Sequence, residues 1–309
     1  MTTKGDQILD KPLSQIGDKG LFTKELEDAL LSEKVDLIVH SFKDCPTKMP
    51  HPELAIGAVL KREDTSDSFL LSKKHADLKI ESLSDFITKV PSTVTIGTSA
   101  LRRQAQLNRL HGKDIKVESI RGNLNTRLRK LDDKELPYDG IILAKAGVNR
   151  MGEEFTSRVS CLLNPPDFLY AVSQAALGIE IRKNDIKTLN AVQNIADIES
   201  TFTCLAERAC MRTLEGGCTV PIGVSSELVE VENGKNLSLT CAVWSVDGKV
   251  EIKASSNRVI PNDISEAGYV AEIFTQNSKS AEICDQLGVE VAEKLLDLGA
   301  KEVLCGIRK

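Results

Sequence analysis

No uninterrupted apolar run in the 309 residues approaches the ~18 of a spanning helix, and the opening Met1-Thr-Thr-Lys-Gly-Asp6 lacks the apolar core of a secretory signal. The reading is a cytoplasmic chain with no membrane partner. Positive charge is not in excess either: Lys plus Arg is 40 against 45 Asp plus Glu, a formal net charge of −5. That balance disfavours a broad phosphate-backbone footprint, so nucleic acid is not an expected partner. The eight cysteines include no Cys-x-x-Cys pair, and a chain of this length needs no disulfide staples, so free thiols are expected. Four histidines stand without His-Glu-x-x-His or any Cys/His ligand cluster, and no metal site is expected. The phosphate loop Gly-x-x-x-x-Gly-Lys-[Ser/Thr] is absent, which disfavours a nucleotide. There is no repeat of about 20–50 residues and no low-complexity tract.

What is present is a foldable soluble composition, 41% hydrophobic and 28% charged. At roughly 100–200 residues per domain, the length predicts two or three domains. Apolar periodicity predicts a helix over 21–30 and a short buried strand over 35–40. A polar stretch runs from Arg62 to Ser68. Strand-like and helix-like segments then alternate: Val94 to Gly97, a helix to Leu110, Val117 to Ile120, a helix through Leu131, and Ile141 to Ala144. That βαβ rhythm predicts an α/β fold with a largely parallel sheet. Asn164-Pro165-Pro166-Asp167 marks a boundary near 167, followed by an apolar segment over 176–181 and a helical run from Thr188 to Leu214. Asp247-Gly248 between two alternating stretches signals a hairpin, and a helix over 281–298 follows, so the last third reads as a small α+β domain.

Polar groups gather just past the strands. Lys43 and Asp44 follow the first; Thr98, Ser99, Arg102 and Arg103 follow the strand at 94–97; Arg121 and Arg127 follow 117–120; Arg150 follows 141–144. Open α/β sheets bind ligands outside the carboxyl ends of their strands, so these side chains are expected to converge. Thr98 or Ser99 is placed to cap the next helix and lend its free N–H groups to the same place. For a single arginine a solvated face is the ordinary outcome, and Arg109 and Arg129 belong there. Five arginines repeating one position in an acidic chain predict instead a pocket for a small molecule with several carboxylates or phosphates. A carboxylate there, Asp44, is suited to holding a proton or steadying a cation, and the alternative is a loop aspartate paired with Lys43. Cys218, beside two glycines in Leu214-Glu-Gly-Gly-Cys-Thr-Val-Pro-Ile-Gly223, is either a buried structural thiol or an accessible sulfur able to attack an electrophilic carbon.

Six segments in one order resemble the porphobilinogen deaminase (hydroxymethylbilane synthase) family: Lys19-Gly-Leu-Phe-Thr-Lys-Glu-Leu26, Val39-His-Ser-Phe-Lys-Asp-Cys-Pro46, Gly97-Thr-Ser-Ala-Leu-Arg-Arg103, Arg121-Gly-Asn-Leu-Asn-Thr-Arg127, Ala146-Gly-Val-Asn-Arg150, and 214–223. The resemblance implies two periplasmic-binding-protein-like α/β domains plus a small C-terminal α+β domain, with boundaries 1–65 and 168–193, 66–167, and 196–309. It implies a transferase of tetrapyrrole and heme biosynthesis, with a dipyrromethane cofactor joined by a thioether to Cys218. Four porphobilinogen units are added to that primer with loss of ammonia, and water releases hydroxymethylbilane. The resemblance assigns catalysis to Asp44 and substrate or cofactor binding to Lys43, Thr98, Ser99, Arg102, Arg103, Arg121, Arg127, Arg150 and Gln174. Lys19 and Phe22 fall in the active-site loop, and a monomer is implied.

The chain departs from the family at three places. It opens beyond a Gly-Ser-Arg-x-Ser-x-Leu-Ala-type strand and helix, so the first domain is expected to lack a strand and cofactor contacts. Ala100 stands where a serine is usual. Ser173-Gln174-Ala175 replaces Gly-Gln-Gly, and if those glycines serve a backbone with positive φ the added side chains crowd the cleft. The alternative function is a weakly active or inactive relative that binds small polyanions without catalysis, which needs the arginines but neither Asp44 nor Cys218.

Overall fold

A computed structural model describes residues 24–214, 220–261 and 278–307. Among them are the strands β1 (Leu37–Ser41), β2 (Leu54–Val59), β3 (Asp67–Leu71), β4 (Val94–Gly97), β5 (Ile115–Glu118), β6 (Gly140–Ala144), β7 (Val159–Leu163), β8 (Leu177–Arg182), β9 (Ile222–Val231), β10 (Gly234–Trp244) and β11 (Glu251–Pro261). The helices are α1 (Lys24–Leu31), α2 (Leu83–Lys89), α3 (Leu101–His111), α4 (Leu124–Asp132), α5 (Lys145–Arg150), α6 (Glu153–Thr156), α7 (Ile186–Val192), α8 (Ile198–Thr213), α9 (Lys279–Asp297) and α10 (Ala300–Ile307). No helix among the described residues is long and apolar enough to cross a membrane.

Three sheets organise the chain, in the orders β1-β8-β2, β5-β4-β6-β3-β7 and β11-β10-β9. The mixed α/β character follows the predicted alternation, but the parallel expectation needs correction. Among the described residues only β4 with β5 and β4 with β6 pair in parallel; β8 is antiparallel to both β1 and β2, and β3 is antiparallel to both β6 and β7. Parallel pairs require a crossover, which the helices α3 and α4 supply around β4 and β5, whereas β3 and β8 return from opposite directions. The polar stretch ending at Ser68 also conceals β3. Its Asp67 and Ser68 are buried, so polarity masked a central strand.

The five-stranded sheet is buried on both faces, with side chains alternating between two cores. Phe69 and Ile142 join Phe86, Ile96 and Leu107 on one side, while Leu70, Ile141 and Leu143 join Ile120, Leu131 and Phe155 on the other. Each such side chain contributes about 1.5–3 kcal/mol on burial. A third core, containing Phe42, Ile56, Phe202, Leu239 and Leu287, joins the first sheet to the C-terminal one through α8 and α9. Those two helices meet closely because Gly288 offers no side chain, and a Cβ there would strike the Ala206 carbonyl oxygen. The predicted single helix from 188 to 214 is two helices, because Asp185 and Asp197 each accept a backbone N–H as caps, from Thr188 and Ser200.

The first two sheets are linked by chain crossing at 60–66 and returning at 164–176. Arg62 fastens the crossing, with a two-pronged bond to Glu207 of α8 at 2.7 and 3.0 Å and a bond to the Gln174 carbonyl at 2.8 Å. The site lies beside this double crossing.

Candidate functional site

A cleft of about 260 Å³ opens between the ends of the first two sheets, lined by Lys43, Asp44, Arg103, Arg127, Arg150 and Ala175 among others. Each arrives by a local rule. β1 ends in a single turn of 3₁₀ helix, Phe42–Asp44, that leaves Asp44 exposed and Lys43 half-buried. Burial lowers the Lys43 ammonium from its ordinary value, Asp44 opposes that shift, and Arg103 adds to it.

At the end of β5, Gly122 adopts φ +113°, and Asn123 caps α4 by accepting the Thr126 N–H at 2.9 Å. This turn presents its carbonyl to Arg127, whose Nε donates to Gly122 O at 2.7 Å. Burial pushes the Arg127 guanidinium down to about 10, Arg103 and Arg121 push the same way, and Asp44 opposes them. Arg121 is half-buried, with one terminal nitrogen lacking a partner. Arg150 is exposed, and its Nη2 donates to Ala175 O at 3.3 Å.

Arg102 and Arg103 differ from these. Both are buried on one carboxylate, that of Asp67 in β3. Arg103 donates to it through Nε at 3.1 Å and Nη2 at 2.7 Å, Arg102 through Nη2 at 2.8 Å, and Gln174 adds Nε2 at 2.9 Å. The remaining Arg102 and Arg103 bonds go to Leu169 O and Ile142 O. Burial works against the charged Asp67, but the two guanidinium groups more than overcome it and hold its pKa far below the usual carboxylate range. Arg103 reaches the cleft from this cluster, whereas Arg102 and Gln174 stand behind the cleft wall.

The expected side-chain cap of α3 is corrected. Ala100 occupies the cap position, Thr98 Oγ1 accepts only the Ala100 N–H at 3.3 Å, and Ser99 Oγ donates to Ile120 O at 2.5 Å. A methyl group has no oxygen to cap with, so the helix begins uncapped by side chains. Lys19, Phe22 and Cys218 lie outside the described residues.

Ser173 and Ala175 have φ of +59° and +73°. These are left-handed conformations that cost a residue with a Cβ roughly 1–2 kcal/mol. The turn they make aims the Ser173 N–H at Glu207 Oε2, 2.7 Å away, and the Ala175 carbonyl toward Arg150. The Ser173 hydroxyl is buried, beside the Cys204 thiol. Asp67 and Asn123 were not singled out from the sequence. Asn123 carries a readable signal, a capping residue just before a helical run, but nothing local distinguishes Asp67 from Asp64.

Chemically, the cleft places one exposed carboxylate among cations from four strand ends. Arg121, Arg127 and Arg150 form no ion pair with a carboxylate among the described residues. The fold and the site define an α/β protein with a cation-lined cleft beside an exposed carboxylate.

Comparison with known proteins makes this specific. Residues 1–190 match the model of the porphobilinogen deaminase dipyromethane cofactor binding domain, and 201–297 match that of the porphobilinogen deaminase C-terminal domain. A porphobilinogen deaminase of Yarrowia lipolytica is 44% identical over 99% of this chain and 82% of its own. One from Gloeobacter violaceus is 43% identical over 98% and 82%, and one from Saccharomyces cerevisiae 42% over 98% and 85%. The chain belongs to the porphobilinogen deaminase family, transferases of tetrapyrrole and heme biosynthesis with a dipyrromethane cofactor.

Proposed function

We propose that the chain polymerises four porphobilinogen units into hydroxymethylbilane on a dipyrromethane primer joined by a thioether to Cys218, releasing one ammonia per unit. The observation that carries the reading is the exposed Asp44 in a cleft shared with Lys43, Arg103, Arg127 and Arg150. The cofactor fits this donor set: its carboxylates supply a counter-charge to Arg121 and Arg127, the first of which disfavours the charge of the second. Bound, it supplies a pyrrole carbon that attacks the incoming substrate.

Each porphobilinogen brings an acetate and a propionate. Arg127 and Arg150 bind those carboxylates through charge-assisted bonds, and Arg103, locked by Asp67, does so with its remaining N–H groups. Loss of ammonia leaves a substrate methylene carbon with positive charge shared by the pyrrole nitrogen. Asp44 lies on the same cleft wall as the cations and is the group whose charge opposes that developing one. It accepts the pyrrole N–H and takes up the proton released when the new carbon–carbon bond restores aromaticity. Lys43 is positioned beside it as a further carboxylate partner. Thr98 and Ser99 hold the β4 turn, Arg102 and Gln174 hold Asp67, and the family resemblance assigns Lys19 and Phe22 to an active-site loop. We also assign the three sheets to domains at 1–65 with 168–193, 66–167 and 196–309, acting as a cytoplasmic monomer.

Incubating the purified protein with porphobilinogen tests the reading. Release of ammonia together with hydroxymethylbilane is expected, and Cys218→Ser is expected to fold yet carry no covalent pyrrole by intact mass. Binding of porphobilinogen without ammonia release would favour a non-catalytic polyanion binder. The same pyrrole adduct on Cys218→Ser would refute the attachment.

A further inference from the structure

The turn that carries Lys43 and Asp44 is held from outside its own sheet. Arg208, in the middle of α8, is buried, and its partners among the described residues are backbone carbonyls and one aromatic face. Its Nη1 donates to Cys45 O at 3.2 Å and more weakly to Phe42 O at 3.5 Å, and its Nη2 donates to Pro46 O. Its guanidinium carbon lies 4.1 Å from the centroid of the Phe42 ring. The three carbonyls bracket Lys43 and Asp44, one before the pair and two after it.

A buried guanidinium is costly unless its fork of N–H groups is satisfied, and buried carbonyls are costly when left unpaired; of the three, Phe42 O also accepts the Cys45 N–H at 3.3 Å. Each therefore fixes the other. The Phe42 ring is fixed on a further side by Gly178 of β8, where a Cβ would sit 2.5 Å from it, and the Phe42 N–H donates to Ala176 O at 3.0 Å. The turn thus has little freedom to shift relative to α8. That helix runs on to Thr213, and the chain after it leads to Cys218.

We infer that Arg208 is a positioning residue, a clamp that sets the Asp44 carboxylate in register with the helix leading to Cys218. This rests on the function proposed above. A turn held rigidly against α8 keeps the Asp44 carboxylate aligned with the reacting carbon, and a misplacement of ~1 Å costs about 100-fold in rate. Arg208 reaches the three carbonyls from two nitrogens held apart by a planar fork, whereas the three N–H donors of lysine diverge from a single nitrogen.

The test is Arg208→Lys, which keeps charge and most of the buried stem, measured beside the wild type for hydrogen exchange and for steady-state kinetics with porphobilinogen. Amide exchange in the 42–46 segment is expected to rise about tenfold or more while β8 and α8 keep their protection. The turnover number kcat is expected to fall about 10- to 100-fold with KM within about threefold and the covalent pyrrole mass retained. In Arg208→Ala, millimolar guanidinium is expected to restore part of the turnover and methylammonium to restore none. Unchanged exchange at 42–46 overturns the clamp whether or not the protein is active. So does faster exchange with kcat unchanged, or a loss of kcat that merely tracks the fraction folded. A wild type that releases no ammonia while Arg208→Lys loosens the turn refutes the functional reading and leaves the clamp standing.

Discussion

Arginines at the ends of β4 and of β5 and β6 occupy equivalent positions in the sheet, yet they differ in what neutralises them. Arg102 and Arg103, after β4, share the buried Asp67. Arg127 and Arg150, after β5 and β6, have only backbone carbonyls among their hydrogen-bond partners and line the cleft. The difference comes from a strand remote in sequence: β3 runs beside β6 and delivers Asp67 under α3, whereas among the described residues no carboxylate pairs with Arg127 or Arg150. The first pair is therefore framework that extends one hand into the cleft. The second, under the proposed function, is binding capacity for an anion.

That contrast breaks most sharply at Asp67. Asp67→Asn leaves two buried guanidinium groups sharing a neutral amide, and removing one partner of such a cluster costs about 3–5 kcal/mol. Urea unfolding is expected to show that loss; a change under about 1 kcal/mol would mean that the cluster is not framework. The pH dependence has a definite sign. The Asp67 pKa is depressed in the folded protein, so its contribution is complete above the unfolded carboxylate value near 3.8 and is lost as pH falls below that toward the folded pKa.

Arg127→Ala is expected to do the reverse. Its charge is disfavoured by burial and by Arg103 and Arg121, so removing it leaves stability unchanged or slightly higher. It also deletes a charge-assisted bond to substrate, about 1.5–3 kcal/mol or roughly 10- to 150-fold in kcat/KM. Loss of stability with kcat/KM intact would place Arg127 with the framework group.

The smallest effect is expected at the crossing. Ser173→Gly and Ala175→Gly remove left-handed strain and are each expected to stabilise by about 0.5–1 kcal/mol in thermal or urea unfolding, net of the glycine's extra unfolded entropy. A loss of stability on either substitution would show that its Cβ contributes packing that outweighs the strain.

The convergence of Lys43, Asp44, Arg103, Arg127 and Arg150 was legible in the sequence because a strand end is a position in space as well as in the chain. Which arginines remain available was not, since that depends on Asp67, which lies in a polar stretch that reads as a loop. Strand direction was obscured for a related reason: β8 completes the first sheet from more than a hundred residues downstream, and periodicity carries no information about its partner. The left-handed backbone at Ser173 and Ala175 was readable only through the glycines expected there, because serine and alanine themselves signal no such conformation. The clamp of Arg208 on the Asp44 turn left no local pattern, being a contact between a helix and a turn some 160 residues apart.

The central claim is that guanidinium groups without a carboxylate partner grip the carboxylates of a growing oligopyrrole beside Asp44. A crystal structure of the protein with porphobilinogen bound tests it most directly. The account predicts substrate carboxylates within hydrogen-bond distance of Arg127 and Arg150 and a pyrrole N–H directed at Asp44. Carboxylates turned to solvent, or a substrate seated away from Asp44, would contradict it.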